Sequence, residues 1–261
     1  MLGFWTEFFL IGFVIATVAY WIALRVRLMA VVDTIWTSGL GLGAMAYLYV
    51  HGFETVRSFV VCLVIMVWSF RLSYHLFCDR VLKGEEDPRY LNLAKHWGDA
   101  SKRNFYFLFL AQILFVALFL VPVTLAMRSS SESFLLMDWL AICLAGIALT
   151  GEYLADRQLA EFRGNPANKG GVCKEGLWRY SRHPNYFFEW LHWWAYVAFA
   201  WSSALWWLSL IGPLAMYIFL RYLTGVPHAE RSSLRSRGEA YREYQQTTNT
   251  FFPWIPRKHT L

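Results

Sequence analysis

The sequence predicts an all-α membrane protein, a bundle of about seven transmembrane helices. Three observations carry that reading. Hydrophobic residues make up 57% of the 261 positions, with a mean hydropathy of +0.35. Charged residues reach only 16%, where a soluble domain averages about 25%. Aromatic residues reach 19%, including 14 Trp, and amphipathic rings of this kind suit the headgroup level of a bilayer. One membrane-embedded domain over residues 1–261 is the expectation.

A spanning helix needs about 20 largely apolar residues. Seven segments qualify, near 4–24, 30–50, 57–78, 105–127, 134–154, 185–202 and 204–222, followed by a tail over 223–261. The first carries Glu7 near its start and is followed by Arg25 and Arg27 with no small-residue cleavage pattern. It is read as a retained helix and not as a signal peptide. The last two meet around Ser202 and Ser203 and should form a tight hairpin.

The loops set the expected topology. Loop one holds Arg25 and Arg27. Loop three (79–104) and loop five (155–184) hold six Lys or Arg each, and the C-terminal segment from Arg221 holds seven. The other side holds Arg57 and Arg128. Lys and Arg accumulate on the cytoplasmic side, so the C-terminus is expected inside and the N-terminus outside. The same bias accounts for the net charge of +6, and no nucleic-acid partner is expected. Cys62, Cys78, Cys143 and Cys173 form no CxxC pair, and no His, Glu or Cys set has metal-ligand spacing, so no metal is expected.

Ionisable residues within a span are costly, about 2.5–3.5 kcal/mol each on insertion scales, and mark candidate sites. Asp33 lies near the start of the second span and Arg71 in the third. Glu152 and Asp156 end the fifth, and Glu189 and His192 open the sixth. Glu152, Asp156 and Arg163 follow i, i+4, i+11, Asn185, Glu189 and Trp193 follow i, i+4, i+8, and Arg71 and His75 are i, i+4. Each set shares a helix face if the helix continues. The bland alternative is that Asp156, Arg163 and Arg182 are interfacial charges that snorkel to water, and that His192 is a hydrogen-bonded core residue. Arg pairs well with phosphate, while carboxylate and Asn suit ribose hydroxyls and amides. A nucleotide cofactor, NADPH or S-adenosylmethionine, offers both kinds of group. No GxGxxG or Walker loop is present, so such a cofactor would lie within the helical bundle.

The segment GLWRYSRHPNYFFEW (176–190) resembles the signature of the steroid 5α-reductase superfamily, which shares its RHPxY run with membrane isoprenylcysteine and phospholipid methyltransferases. The tail 225–254 looks like the ending common to both groups. RLSYHLFCDRVLKGEEDPRY (71–90) and EYLADRQLAEFR (152–163) are similar to the bacterial branch of the reductase family, formerly a domain of unknown function. The resemblance covers roughly residues 30–254. It implies a seven-helix bundle that binds NADPH on its cytoplasmic side and reduces the 4,5 double bond of a 3-oxo-4-ene steroid or related lipid enone.

Carried over residue by residue, the resemblance implies that Asp156 and Arg163 bind the cofactor, that Asn185 and Glu189 hold its nicotinamide end with Trp193 beside them, and that Arg71 meets it from the third helix. Tyr180, Arg182 and His183 become cofactor neighbours. Asp87, Arg89 and Tyr90 of EEDPRY would clamp its adenosine or phosphate part. His75 and Arg80 in the same segment, and Glu230 and Tyr244 in the tail, complete the expected cofactor set. The mammalian enzymes carry a Gln-Glu pair on the second helix and a Tyr on the third. Here Asp33 follows Val32, and Trp68 stands where the Tyr would be, with Tyr74 about a turn away. Asp33 and Tyr74 are therefore the catalytic candidates, and Trp36 and Trp68 the substrate-binding ones. Hydride adds to the β carbon and a proton to the α carbon. Asp33 could stabilise the enolate oxygen if protonated, or through a neighbouring hydroxyl.

Two alternatives stand beside this reading, an S-adenosylmethionine-dependent lipid or isoprenylcysteine methyltransferase and a non-catalytic lipid-binding protein. The expected partners are a lipid or steroid substrate from the bilayer and the membrane lipids themselves, with a monomer assumed. The expected location is a bacterial inner membrane, with the active site toward the cytoplasm.

Overall fold

The structure is a computed structural model that describes residues 2–52, 55–128 and 133–257. Among the described residues every regular element is helical: α1 (Leu2–Val26), α2 (Val31–His51), α3 (Val56–Leu76), α4 (Pro88–Trp97), α5 (Ser101–Met127), α6 (Leu136–Gly164), α7 (Pro184–Ala200), α8 (Ile211–Ile218), α9 (Val226–Arg237) and α10 (Glu239–Thr247). Short 3-10 and π turns join several of them, so that Val56–Val81, Pro88–Met127 and Trp206–Arg237 run as near-continuous helix.

Five of these runs are long and apolar enough to cross a membrane: Gly3–Val26, Val56–Val81, Pro88–Met127, Leu136–Gly164 and Trp206–Arg237. They define an integral membrane protein. The segments expected as second and sixth spans do form helices, α2 and α7, but fall outside that set. Asp33, three Gly and two Thr lower the apolarity of α2, and α7 has only 17 residues. Between Trp201 and Leu205 the chain turns, near the expected Ser202–Ser203 hairpin.

By packing, the chain forms two compact units, Met1–Phe134 with Phe199–Ile211, and Leu135–Ala198 with Gly212–Leu261. In the first unit, α1 buries Ala16, Ala19, Tyr20 and Ala23, spaced i, i+3, i+4 and i+7, while Leu10, Ile11, Val14 and Trp21 are exposed. One face of α1 therefore packs and the other suits lipid. Tyr20 meets Tyr106 and Phe109 of α5 edge-on or tilted, at centroid separations of 5.2 and 5.7 Å.

Small residues let α2 and α3 pack closely. A Cβ on Gly41 would come within 2.5 Å of Ser69 Oγ, and Ser69 donates to the Thr37 carbonyl at 2.7 Å. Ser73 Oγ bonds the hydroxyls of Thr37 and Ser38 at 2.7 and 3.0 Å. Gly, Ser and Thr do this work at helix interfaces in lipid because no hydrophobic force drives the helices together there. Thr55 caps α3 in a capping box with Ser58, and Asp87 caps α4 with Pro88 at its first position.

In the second unit, α6 buries a small-residue face of Ala141, Ala145, Ala148, Gly151 and Ala155. Here Gly151 is required: a Cβ on it would lie 2.4 Å from two ring carbons of Phe188 in α7 and 2.6 Å from the ring's own Cγ. The ring cannot move aside cheaply, because its stem is involved. The loop after α6 docks back on it, with Trp178 Nε1 donating to the Ala155 carbonyl at 2.9 Å and Leu177 N to Gln158 Oε1 at 2.9 Å.

The two glycines Gly146 and Gly151 on α6 offer a controlled comparison. A Cβ on Gly146 would meet nothing within 4 Å. Gly151→Ala is expected to lower the unfolding midpoint of the purified protein in detergent by an amount equivalent to about 1–3 kcal/mol, while Gly146→Ala leaves it unchanged or raises it. Equal midpoints for the two variants in a thermal unfolding scan would show that α6 and α7 are not in close contact at Gly151.

Candidate functional site

Polar side chains gather in two places, one in each unit. In the first unit the centre is Asp33, on the opening turn of α2. It accepts from the guanidinium of Arg80, from Arg89 Nη2 at 2.7 Å and from the Tyr90 hydroxyl at 2.7 Å. Asp87 accepts from Arg89 Nη2 at 2.9 Å and lies 3.6 Å from Arg80. Burial alone would raise the Asp87 carboxyl, but the bonds and charge of Arg89 and Arg80 hold it below the usual range. Glu86 takes the backbone N–H of Met29 and, at 3.0 Å, that of Ala30, so a residue from the loop supplies the anion that the start of α2 favours.

This network changes the reading of several candidates. Three neighbours donate to the Asp33 carboxyl, which stands in an ion-pair network with Arg80 and Arg89. Arg80, Arg89, Asp87 and Tyr90 satisfy one another and Asp33, so the expected clamp on a nucleotide is closed on itself. Tyr74 stands on an exposed face of α3, stacked on Phe70 at 6.3 Å. Trp68 is fully buried and meets Trp36 edge-on at 6.0 Å, and Trp36 meets Phe119 at 5.7 Å. Trp68 is thus a core residue, and Trp36 beside it is half-buried. Arg71 is half-buried and His75 exposed.

In the second unit the centre is Arg182, buried just before α7. Its Nε donates to Glu230 Oε1 at 2.7 Å, Nη1 to the carbonyls of Gln245 and Thr248 at 3.0 and 2.5 Å, and Nη2 to Thr250 Oγ1 at 2.8 Å. The rigid guanidinium fork suits such a set. Glu230 also accepts from Gln245 Nε2 at 2.9 Å and faces His183 Nε2 at 3.4 Å. Tyr244 donates to the carbonyls of Trp178 and, at 3.2 Å, Ser181. Burial pushes the Tyr244 phenol up, which keeps it a donor. Burial pushes the His183 imidazole down, against the pull of Glu230. Arg182, His183, Glu230 and Tyr244 therefore tie the RHPNY turn to α9, α10 and the tail. Sequence reading missed the partners Gln245, Thr248 and Thr250, since no local pattern links positions more than sixty residues apart to Arg182.

Beside this hub, α6 continues unbroken through Arg163, as the face-sharing of Glu152, Asp156 and Arg163 requires. Asn185 Nδ2 donates to Asp156 Oδ1 at 3.1 Å, joining α7 to α6. One turn on, Trp193 Nε1 donates to Glu189 Oε1 at 3.3 Å, and Tyr196 and His192 pair at 2.9 Å. Glu152, Glu189 and His192 are buried, Asp156 and Asn185 half-buried, and Arg163 exposed. Tyr180 is exposed, and its carbonyl accepts from Trp254 N at 3.0 Å. So Asp156, Asn185, Glu189 and Trp193 are brought together on α6 and α7, with carboxylate and amide groups within apolar helices.

These features define a polytopic α-helical membrane protein with a polar, acceptor-rich cluster at helix ends. The chain belongs to the family described as protein of unknown function DUF1295, whose model matches residues 19–248. It is 25% identical over 281 residues to an uncharacterised protein of Schizosaccharomyces pombe, covering 96% of this chain and 80% of that one. No solved structure matches the chain.

Two measurements check the hub. Arg182→Lys keeps the charge but not the fork, and is expected to lower stability by roughly 3 kcal/mol, read as the unfolding midpoint in detergent. The His183 imidazole is held below its ordinary value of about 6.5, so below that pH the unfolded chain binds more protons than the folded one. Stability present above pH 6.5 is then lost as pH falls beneath it, and His183→Gln is expected to flatten that part of the profile.

Proposed function

We propose that the protein is an NADPH-dependent reductase of a lipid enone, such as the 4,5 double bond of a 3-oxo-4-ene steroid. The family resemblance over residues 30–254 motivates this reading. The observation that carries it is the joining of Asp156 to Asn185, with Glu189 one turn and Trp193 two turns further along α7. Carboxylate and amide groups at that spacing suit the ribose hydroxyls and carboxamide of a nicotinamide nucleotide. Arg163, exposed at the end of α6, is the cation offered to phosphate.

When bound, the dinucleotide supplies the hydride, which adds to the β carbon of the enone while a proton reaches the α carbon. The chain's part is to hold the nicotinamide end and to exclude water with the aromatic residues of α7. Arg182, His183, Glu230 and Tyr244 act by fixing the RHPNY turn from which α7 starts. We assign no proton donor to Asp33, whose oxygens already accept from three neighbours. We further propose seven crossings, with α2 and α7 added to the five long apolar runs, an outside N-terminus and a cytoplasmic active site in a bacterial inner membrane. The alternation of Lys and Arg between loops supports that arrangement.

One observation favours a second reading. The acids Glu152, Asp156 and Glu189 of α6 and α7 stand on helices that also carry the aromatic residues Trp190, Trp193 and Trp194. Carboxylates with aromatic rings suit a sulfonium, as in an S-adenosylmethionine-dependent methyltransferase.

Ligand-dependent stability separates the two. NADPH at a hundredfold excess over its dissociation constant is expected to stabilise the solubilised protein by about 2.7 kcal/mol, and Asp156→Ala or Asn185→Ala to remove most of that shift. A shift with S-adenosylmethionine and none with NADPH overturns the reductase in favour of the methyltransferase. No shift with either leaves a non-catalytic lipid-binding protein as the better reading.

A further inference from the structure

Residues 248–257, after α10, do not trail into solvent. Three backbone bonds hold them: Arg182 N donates to the Asn249 carbonyl at 2.8 Å, Trp254 N to Tyr180 at 3.0 Å and Arg257 N to Thr247 at 2.8 Å. Phe251 and Phe252 then pack against the apolar helices. Phe251 is buried and meets Trp190 of α7 at 6.1 Å and Tyr217 of α8 at 5.2 Å. Phe252 meets the same two rings at 5.4 and 5.9 Å. Trp190 stands nearly two turns inside α7, so the chain, after two polar helices, returns to the level of the apolar spans.

The next residues are unusual for a tethered segment. Trp254 is 70% and Ile255 74% exposed, and Phe252 and Tyr180 are exposed as well. Tyr180, Pro253, Trp254 and Ile255 line a shallow groove of about 250 Å³. Arg179 and Arg257, both exposed, flank it in sequence, and Arg221 lies over the Tyr222 ring at 5.2 Å. The backbone is fixed, so these apolar groups are held outward and are not exposed by fraying.

From this arrangement we infer that the 252–257 segment is an interfacial anchor for anionic phospholipid. Trp254 and Ile255 enter the acyl boundary, Tyr180 sits at headgroup level, and Arg179 and Arg257 meet the phosphates. Two features select lipid as the occupant. The patch continues the aromatic stack on α7 and α8, and the charged residues nearest it in sequence, Arg179 and Arg257, are cationic, as an anionic leaflet favours. Trp and Tyr with Arg alongside is also the side-chain mixture that favours this depth of a bilayer. The anchor fastens the RHPNY turn to the membrane surface through Tyr180 and Arg182, whatever reaction the protein carries out.

The test uses the full chain reconstituted at one copy per lipid nanodisc, and reads the part of tryptophan fluorescence that Trp254→Phe removes. Discs are made with phosphatidylcholine or phosphatidylglycerol brominated near the carbonyl end of the acyl chains. The Trp254 component is expected to be quenched by both lipids and more strongly by the anionic one, and Arg257→Gln should reduce that excess. Far-UV circular dichroism verifies that both variants fold. Equal quenching by the two lipids, unaltered by Arg257→Gln, overturns the assignment to anionic headgroups. Quenching of Trp254 by aqueous acrylamide with none by brominated lipid overturns the anchor altogether. So does a Trp254 signal shielded from acrylamide only in vesicles that hold several copies, which would make the patch a contact with a second copy of this chain.

Discussion

Arg182 is the constraint on which the second unit depends. Its guanidinium bonds to the α9 carboxylate Glu230, to carbonyls at the end of α10, and to the first turn of the tail. A single buried cation thereby sets where three separate polar elements begin or end, and where α7 starts. Burying it would be expensive if any of those partners were missing. Each partner also has another reason to be where it is: Gln245 supports Glu230, Tyr244 closes the turn from the other side, and Ser181 donates to the Phe251 carbonyl at 2.9 Å. Mutual support of this kind gives one geometry and few near alternatives.

The first unit solves a similar problem with ion pairs and small residues. Asp33 stands at the polar end of a helix whose further turns are spaced by Gly39, Gly41 and Gly43. These let Val116, Ser69 and Leu120 approach to within a side chain's width. Close approach along α2 fixes the helix, and the cluster of Arg80, Arg89 and Tyr90 fixes its end. With Asp33 and Asp87 the two arginines form a balanced set. Glu86 completes it by supplying the cap that the sequence around Ala30 lacks.

Helix positions were legible because they follow from composition over about 20 residues, and all seven expected segments are helical. Whether α2 and α7 count as spans was not legible at the same level, because Gly and Asp for one, and length for the other, fall near the threshold where composition ceases to decide. The i, i+4 grouping of Glu152 with Asp156 and of Asn185 with Glu189 was also legible, since it depends only on helical period. The roles of Asp33 and Trp68 were not. An acid and a Trp in a span look alike in sequence whether they face a substrate or a neighbour, and the neighbours of Asp33 lie 47 to 57 positions away. Likewise Arg182 reads as a free cation in RHPNY until its acceptors, 48 to 68 positions on, come into place.

That contrast gives a criterion for sorting the remaining charges. A buried ionisable group costs the fold something, and the cost is met either by the fold itself or by what the protein binds. Asp33, Arg80, Asp87 and Arg89 meet it among themselves, and Arg182 with Glu230 meets it with backbone carbonyls. The presence of these charges therefore says little about chemistry. Asp156 and Asn185 are different. Their bond joins one carboxylate oxygen to one amide hydrogen across two helices, and both groups stay half-buried instead of sealed. A carboxylate can accept about four hydrogen bonds and an amide can both donate and accept, so half-buried groups of this kind can engage a ligand as well as each other. Glu189 adds a second carboxylate one turn along the same face of α7. The half-buried Asp156 and Asn185, on two helices that the Arg182 hub and the Gly151 contact hold together, are the physical reason to look for a bound ligand on α6 and α7 before looking at Asp33.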